Sequence, residues 1–292
     1  GSARGIQALT TFDVTVVNSG DLTVSSYATG SAQGIRAKST NGYALIDNSG
    51  DISATSTYTN AIALLATAYY DVDIINTGDL SAVSDANVYG IYANARFGDT
   101  YVYSSGDITA NATNLTGSGI YAAAGGSSVI VNAGDISASS VYANSYGAYA
   151  LALFGSAAIF NSGDVSVDAY YDSTGLFAKS LYGVAYINNS GDVSVNSEYG
   201  IAAYGLYASA FGSTAVVLNY GGDVSASSYD SDASAIVAVA LDDVVIYNSG
   251  DLSAYSYNGD AIGIVGATTD GNVTIYNIGG AISAESVYGT AY

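Results

Sequence analysis

Read for apolar and polar positions, the chain alternates in short bursts. One phrase, Asn-Ser-Gly-Asp followed by an aliphatic residue, punctuates it from end to end. The aspartates fall at Asp21, Asp51, Asp79, Asp107, Asp135, Asp164, Asp192, Asp223 and Asp251, with Ala281 in the tenth place, at intervals of 28 to 31 residues. A fixed period of that length is the signature of a repeat architecture. The residue after each of these positions is aliphatic: Leu22, Ile52, Leu80, Ile108, Ile136, Val165, Val193, Val224, Leu252 and Ile282. Two positions further on stands Ala or Val, and between them only Ser or Thr. Such alternation predicts a short strand with an apolar face inward and a hydroxyl row outward. Two residues ahead of the Asn site, Val or Ile recurs in every copy, from Val16 and Ile46 to Ile275, and predicts a second strand. Gly-Ile-x-Ala and its variants, as at Gly34-Ile35, Gly90-Ile91 and Gly119-Ile120, predict a third.

Isolated copies of three short strands cannot bury their apolar faces, whereas stacked copies can. Coils placed about 4.8 Å apart align like residues into ladders and pair their strands as parallel sheets. The expected fold is all-β: a right-handed parallel β-helix (β-solenoid) of about ten coils, three strands per coil, in one domain over 1–292, forming a rod roughly 45 Å long. No copy shows helical i, i+3, i+4 spacing.

The ladders carry the candidate chemistry. Asn18, Asn48, Asn76, Asn132, Asn161, Asn189, Asn219, Asn248 and Asn277, with Ser104 as the exception, form a column where two sheets meet. Asn tolerates left-handed backbone, and its amide can bond the backbone or the Asn of the next coil. The following Gly is expected to supply positive φ, and Gly221-Gly222 and Gly279-Gly280 read as one-residue bulges. The aspartates should face solvent, since neighbouring carboxylates about 5 Å apart repel by about 0.9 kcal/mol even at water's dielectric. They are read as turn residues capping backbone amides, with a Ca²⁺ ladder as the alternative, although the calcium-binding β-roll nonapeptide is missing. Tyr92, Tyr121, Tyr149, Phe177 and Tyr207 form an outward aromatic row, flanked by Tyr89, Tyr142, Tyr146, Tyr182 and Tyr204 in expected loops. The row can stabilise stacked strands and can serve as a sugar-binding or adhesive platform. The Ser and Thr row after the aspartates reads as ordinary solvent-facing strand surface.

Composition narrows the function. Cys, Met, His, Trp and Pro are absent, Tyr occurs 28 times, and five basic residues stand against 25 acidic ones, for a net charge of −20. That charge disfavours nucleic acid and anionic lipid as partners, and no apolar run is long enough to span a bilayer. Nucleophilic triads and zinc sites lack their usual His and Cys. Arg4, Arg36, Lys38, Arg96 and Lys179 are spread along the chain with no evident convergence. Paired carboxylates for glycoside hydrolysis remain available at Asp71 with Asp73, Asp230 with Asp232, and Asp242 with Asp243. The expectation is a protein that is not an enzyme and has no cofactor unless Ca²⁺.

Coils reading Gly-Ile-Tyr-Ala, then Val-x-Ile-x-Asn-Ser-Gly-Asp-Ile-Ser-Ala, resemble the passenger repeats of bacterial autotransporter adhesins over nearly the whole chain. The resemblance implies an extracellular or outer-membrane surface rod of a Gram-negative bacterium, a part of a longer protein. Its partners would be host or bacterial surface glycans or proteins, or further copies of itself, and this segment would not insert into a membrane. A self-assembling filament subunit and a carbohydrate-active enzyme on a β-helix scaffold are the alternatives.

Overall fold

The computed structural model describes residues 1–27 and 29–292. The described residues wind through thirty strands that sort into three parallel ten-stranded sheets, each sheet taking one strand from every coil. In the first coil these are β1 (Ala3–Thr10), β2 (Val14–Asn18) and β3 (Leu22–Ser26), and every later coil repeats the order. The architecture is the expected right-handed parallel β-solenoid, with no helix among the described residues. Strands of the first sheet are eight or nine residues long, and those of the other two are five. The first is called the long sheet below.

Register explains why like residues stack. Ile91 lies beside Ile120, Val102 beside Ile130 and Ile108 beside Ile136, so each inward ladder is continuous along the axis. One apolar cluster fills the bore, and Ile35, Ile46, Ile74, Ile91, Ile120 and Ile130 are fully buried in it. Each such side chain contributes about 1.5–3 kcal/mol relative to leaving it in water. All ten coils contribute a long strand, including those whose Gly-Ile phrase is blurred, such as Ala61–Ala68 with Ala63-Leu64.

The glycine of that phrase has a packing reason. A Cβ on Gly34, Gly90 or Gly119 would overlap the Cγ2 of Ile52, Ile108 or Ile136 on the third sheet, and on Gly147 or Gly175 it would overlap a Val methyl. The two coils that carry Ala there, Ala63 and Ala235, belong to coils whose facing residue is Leu80 or Leu252. β-branched residues project a methyl at the first carbon beyond Cβ on both sides, while Leu branches one bond later. The small residue and its partner thus match in shape within each of these coils.

Two backbone expectations are corrected. Among the described residues no non-glycine has positive φ, so the Asn column does not use left-handed backbone. Nor, outside the two double glycines, do the glycines after it: among the described residues positive φ occurs only at Gly221 (φ 86) and Gly279 (φ 103). The corner needs Gly for proximity instead: a Cβ on Gly50, Gly78, Gly106 or Gly134 would overlap the carbonyl of the corresponding glycine one coil earlier. Gly221 and Gly279 are the extra residues inferred at the double glycines, with open space around them.

Candidate functional site

The Asn column is a buried hydrogen-bonded ladder. From Asn18 to Asn248 each amide nitrogen donates twice, once to the glycine carbonyl just ahead, as from Asn48 Nδ2 to Gly50 O at 2.7 Å, and once to the side chain of the next coil, as from Asn48 to Asn76 Oδ1 at 2.8 Å. Asn18, Asn132, Asn161, Asn189, Asn219 and Asn248 repeat this second bond at 2.7–2.9 Å, ending on Asn277. At the bulge Asn219 reaches Gly222, three residues on, so the insertion leaves the ladder intact. Ser104 breaks the run. Asn76 donates to its hydroxyl at 3.2 Å, but Ser104 has a single hydroxyl proton, directed at Gly106 O, and the buried Asn132 Oδ1 has no partner.

The Asp column is an exposed ladder of a different kind. Oδ1 of Asp21, Asp51, Asp79, Asp107, Asp135, Asp164, Asp192, Asp223 and Asp251 each accepts the backbone N–H of the corresponding residue one coil on, at 2.8–3.0 Å, the last being Ala281. One carboxylate oxygen per residue is therefore used on the protein, satisfying an amide that the corner leaves without a strand partner. Among the described residues no three acidic groups come close enough together to hold a metal ion. Between this column and the hydroxyl row runs a shallow groove, about 440 Å³ from Asp107 to Ser194 and about 310 Å³ from Asp21 to Thr109.

Sequence reasoning missed that the other two corners use the same device. Asp13, Asp71, Asp99 and Asp243 cap the next coil's amide after the long strand. Asn87, Asn144, Asp172, Asp232 and Asp260 do so before it. The signal was an Asp or Asn standing immediately before or at a strand's first residue, as in Asp71-Val72 and Asp260-Ala261. Of the candidate hydrolytic pairs, Asp71, Asp232 and Asp243 each hold a corner amide, and Asp230 accepts from Asn258 Nδ2. Burial, with the charge of Asp71 second, pushes the Asp73 carboxyl above its usual value.

On the outer face of the long sheet, Tyr92, Tyr121, Tyr149, Phe177 and Tyr207 lie in register in successive coils and are half-buried. Tyr149 and Phe177 stack at 4.6 Å and 12°, and Phe177 and Tyr207 at 4.7 Å and 2°. Tyr92 stacks on Tyr121 at 5.2 Å, while Tyr121 meets Tyr149 edge-on at 5.4 Å. Parallel rings that close must overlap face on face, because coplanar rings side by side would sit farther apart. Ring faces are therefore turned toward neighbours within Tyr92–Tyr121 and within Tyr149–Phe177–Tyr207, and the edge-on meeting of Tyr121 with Tyr149 separates the two stacks. Tyr89, Tyr146 and Tyr204 prove to be strand residues rather than loop residues, and pack on Tyr92, Tyr149 and Tyr207 at 5.0–5.5 Å. Burial pushes the phenols of Tyr89, Tyr92, Tyr121, Tyr146, Tyr149 and Tyr204 upward. Tyr142 and Tyr182 do lie in turns.

A second aromatic column went unseen in the sequence. Tyr142, Tyr170, Tyr199, Tyr229, Tyr257 and Tyr288 follow one another along the corner before the long strand, with neighbouring ring centroids 4.8–6.2 Å apart. Their distance from the repeat phrase varies by a residue, which hid the alignment. The basic residues also gather more than their spacing suggested: Arg4, Arg36, Lys38 and Lys179 all lie on long-sheet strands.

The family profile described as the BigA third pectate lyase-like domain matches residues 2–200. No curated protein and no solved structure matches the chain. The coils beyond residue 200 continue the same three sheets in the same register, and the likeness to adhesin passenger repeats agrees with that fold. With more than half of its length matched, the chain belongs to the family of the BigA third pectate lyase-like domain.

Proposed function

We propose that the chain is a structural and adhesive rod of a bacterial surface protein, acting through its sides and without catalysis. The observation that carries this reading is the half-exposed aromatic column, continuous over five coils and bordered by further tyrosines on the same sheet. Membership in a family of β-helix domains from surface proteins supports the location on or outside the cell. Because the ring faces stack on one another, the column suits partners that take hydrogen bonds and edge contacts, such as glycan hydroxyls or a protein surface. The test is retention of labelled glycans and surface proteins on the immobilised rod. Replacing Tyr92, Tyr121, Tyr149 and Tyr207 by Ser should abolish retention in a variant whose circular dichroism is unchanged. Undiminished retention would sink the aromatic reading.

A carbohydrate-active enzyme is the second reading, favoured by the groove beside Asp107, Asp135, Asp164 and Asp192 on a pectate lyase-like scaffold. It requires turnover of a polysaccharide, with or without Ca²⁺, that is lost when those aspartates become Asn.

A further inference from the structure

The acidic residues of this chain avoid one side of the rod. The ten long strands carry four of the five basic residues, yet a single acid, Asp232, at the first position of its strand. All other carboxylates lie on the corners or on the other two sheets. On a chain of net charge −20, a face free of carboxylates permits close approach by another surface that the rest of the rod would repel.

The face also changes character along the axis. Its central outward column reads Gln7, Arg36 and Leu65 in the first three coils, the aromatic row in the next five, and Val237 and Val265 at the end. Arg4 stands in the first coil, its Nε donating to Gln33 Oε1 at 3.0 Å, and Lys38 in the second. The far end is aliphatic, with Asp232 and Asp260 along its margin.

We infer that the long sheet is a docking face for a second copy of this chain, laid against it face to face with the rods antiparallel. Parallel apposition would set the cations of the first two coils against themselves. The antiparallel arrangement sets ring against ring in the middle and brings each cationic end to the partner's aliphatic end, beside Asp232 and Asp260. Three outward columns across about 17 Å, over a rod of about 45 Å, give a footprint of about 800 Å² per partner, the size typical of a stable interface, within which Gln33, Ile62, Leu65 and Val237 are already nearly buried. This inference rests on the reading of the rod as a scaffold that works through its sides, and it names the partner and the side.

Absence of cysteine makes the test clean, because any introduced thiol is the only one. Register places the outward Leu9 of the first coil and the outward Ala267 of the last in the same column. In the antiparallel pair these two face each other. Sedimentation of the wild type across a concentration series should show a mass doubling, and Tyr121→Glu should weaken the association at least tenfold (about 1.4 kcal/mol). On mild oxidation, Leu9→Cys mixed with Ala267→Cys should give a cross-linked dimer, whereas Leu9→Cys alone should not. Monomers at every concentration would overturn the inference, as would self-linking of Leu9→Cys. A chain that stays monomeric while still retaining glycans or proteins would overturn the dimer and leave the adhesive reading standing.

Discussion

Replacing Ser104 by Asn should stabilise the rod, and the reason lies in a single orphaned atom. Nine coils carry Asn at this corner, and the ladder fails only where Ser104 cannot donate to Asn132 Oδ1. An unsatisfied buried acceptor costs about 1–3 kcal/mol. Asn at this position would donate both to Gly106 O and to Asn132 Oδ1 and accept from Asn76, as its counterparts do. Set against the middle of that range, about 2 kcal/mol, ordering the longer side chain at up to about 1 kcal/mol leaves a net gain of about 1–2 kcal/mol. For a chain of this size that corresponds to a rise in Tm of roughly 2–8 °C at about 2–4 °C per kcal/mol. Solenoids can unfold in parts, so hydrogen exchange gives the sharper reading. The amides of Ser105 and Ala133, which bond across this corner to Asn76 O and Ser104 O, should slow more than those of distant coils. A neutral or destabilising Ser104→Asn would refute the claim that the ladder contributes net stability.

The packing match between sheets predicts a double-mutant cycle. Gly119→Ala alone should cost about 1–3 kcal/mol by overlap with Ile136 Cγ2 and with the Gly147 carbonyl of the next coil, and adding Ile136→Leu should recover the side-chain part of it in chemical denaturation. Deleting Gly221 leaves Asn219-Tyr220-Gly222-Asp223, the same spacing as elsewhere, and should preserve or raise Tm; a collapse of the fold would refute the bulge assignment. Asp73→Asn should be more stable than wild type at neutral pH. The folded carboxyl holds its proton more tightly than the unfolded one, so wild-type stability falls as pH rises through the raised value, and the two proteins should converge below the unfolded pKa. Adding Ca²⁺ should leave Tm unchanged, since each ladder carboxylate already bonds a backbone amide; a saturable rise would instead establish the calcium ladder.

The legibility of this chain followed its periodicity. The aliphatic residues flanking each Asp, and the Val or Ile before each Asn, gave strand positions and inward faces directly, because a stacked coil repeats its environment. Backbone conformation was less readable. Gly in Asn-Ser-Gly-Asp suggested positive φ by its commonest use, yet its role here is to let adjacent coils touch, which only the distance to Gly20 or Gly106 reveals. Carboxylate repulsion gave the solvent exposure of the Asp column and its place in the turn suggested capping, whereas the matching caps at Asp71 and Asp260 lay outside the repeated phrase. The aromatic row was visible as a column, but its ring orientation depends on rotamers that no spacing encodes. The corner tyrosines from Tyr142 to Tyr288 were lost because the corner's length varies.

Adhesion of rod-coated beads, to one another and to cell surfaces, tests the central claim that the sides of the rod do the work. Three proteins are needed: wild type, Tyr121→Glu with Tyr149→Glu on the long sheet, and Asp135→Asn with Asp164→Asn in the groove. The account predicts that the long-sheet variant stops adhering while the groove variant adheres as wild type does. Adhesion that survives the glutamates and disappears with the groove aspartates would contradict it.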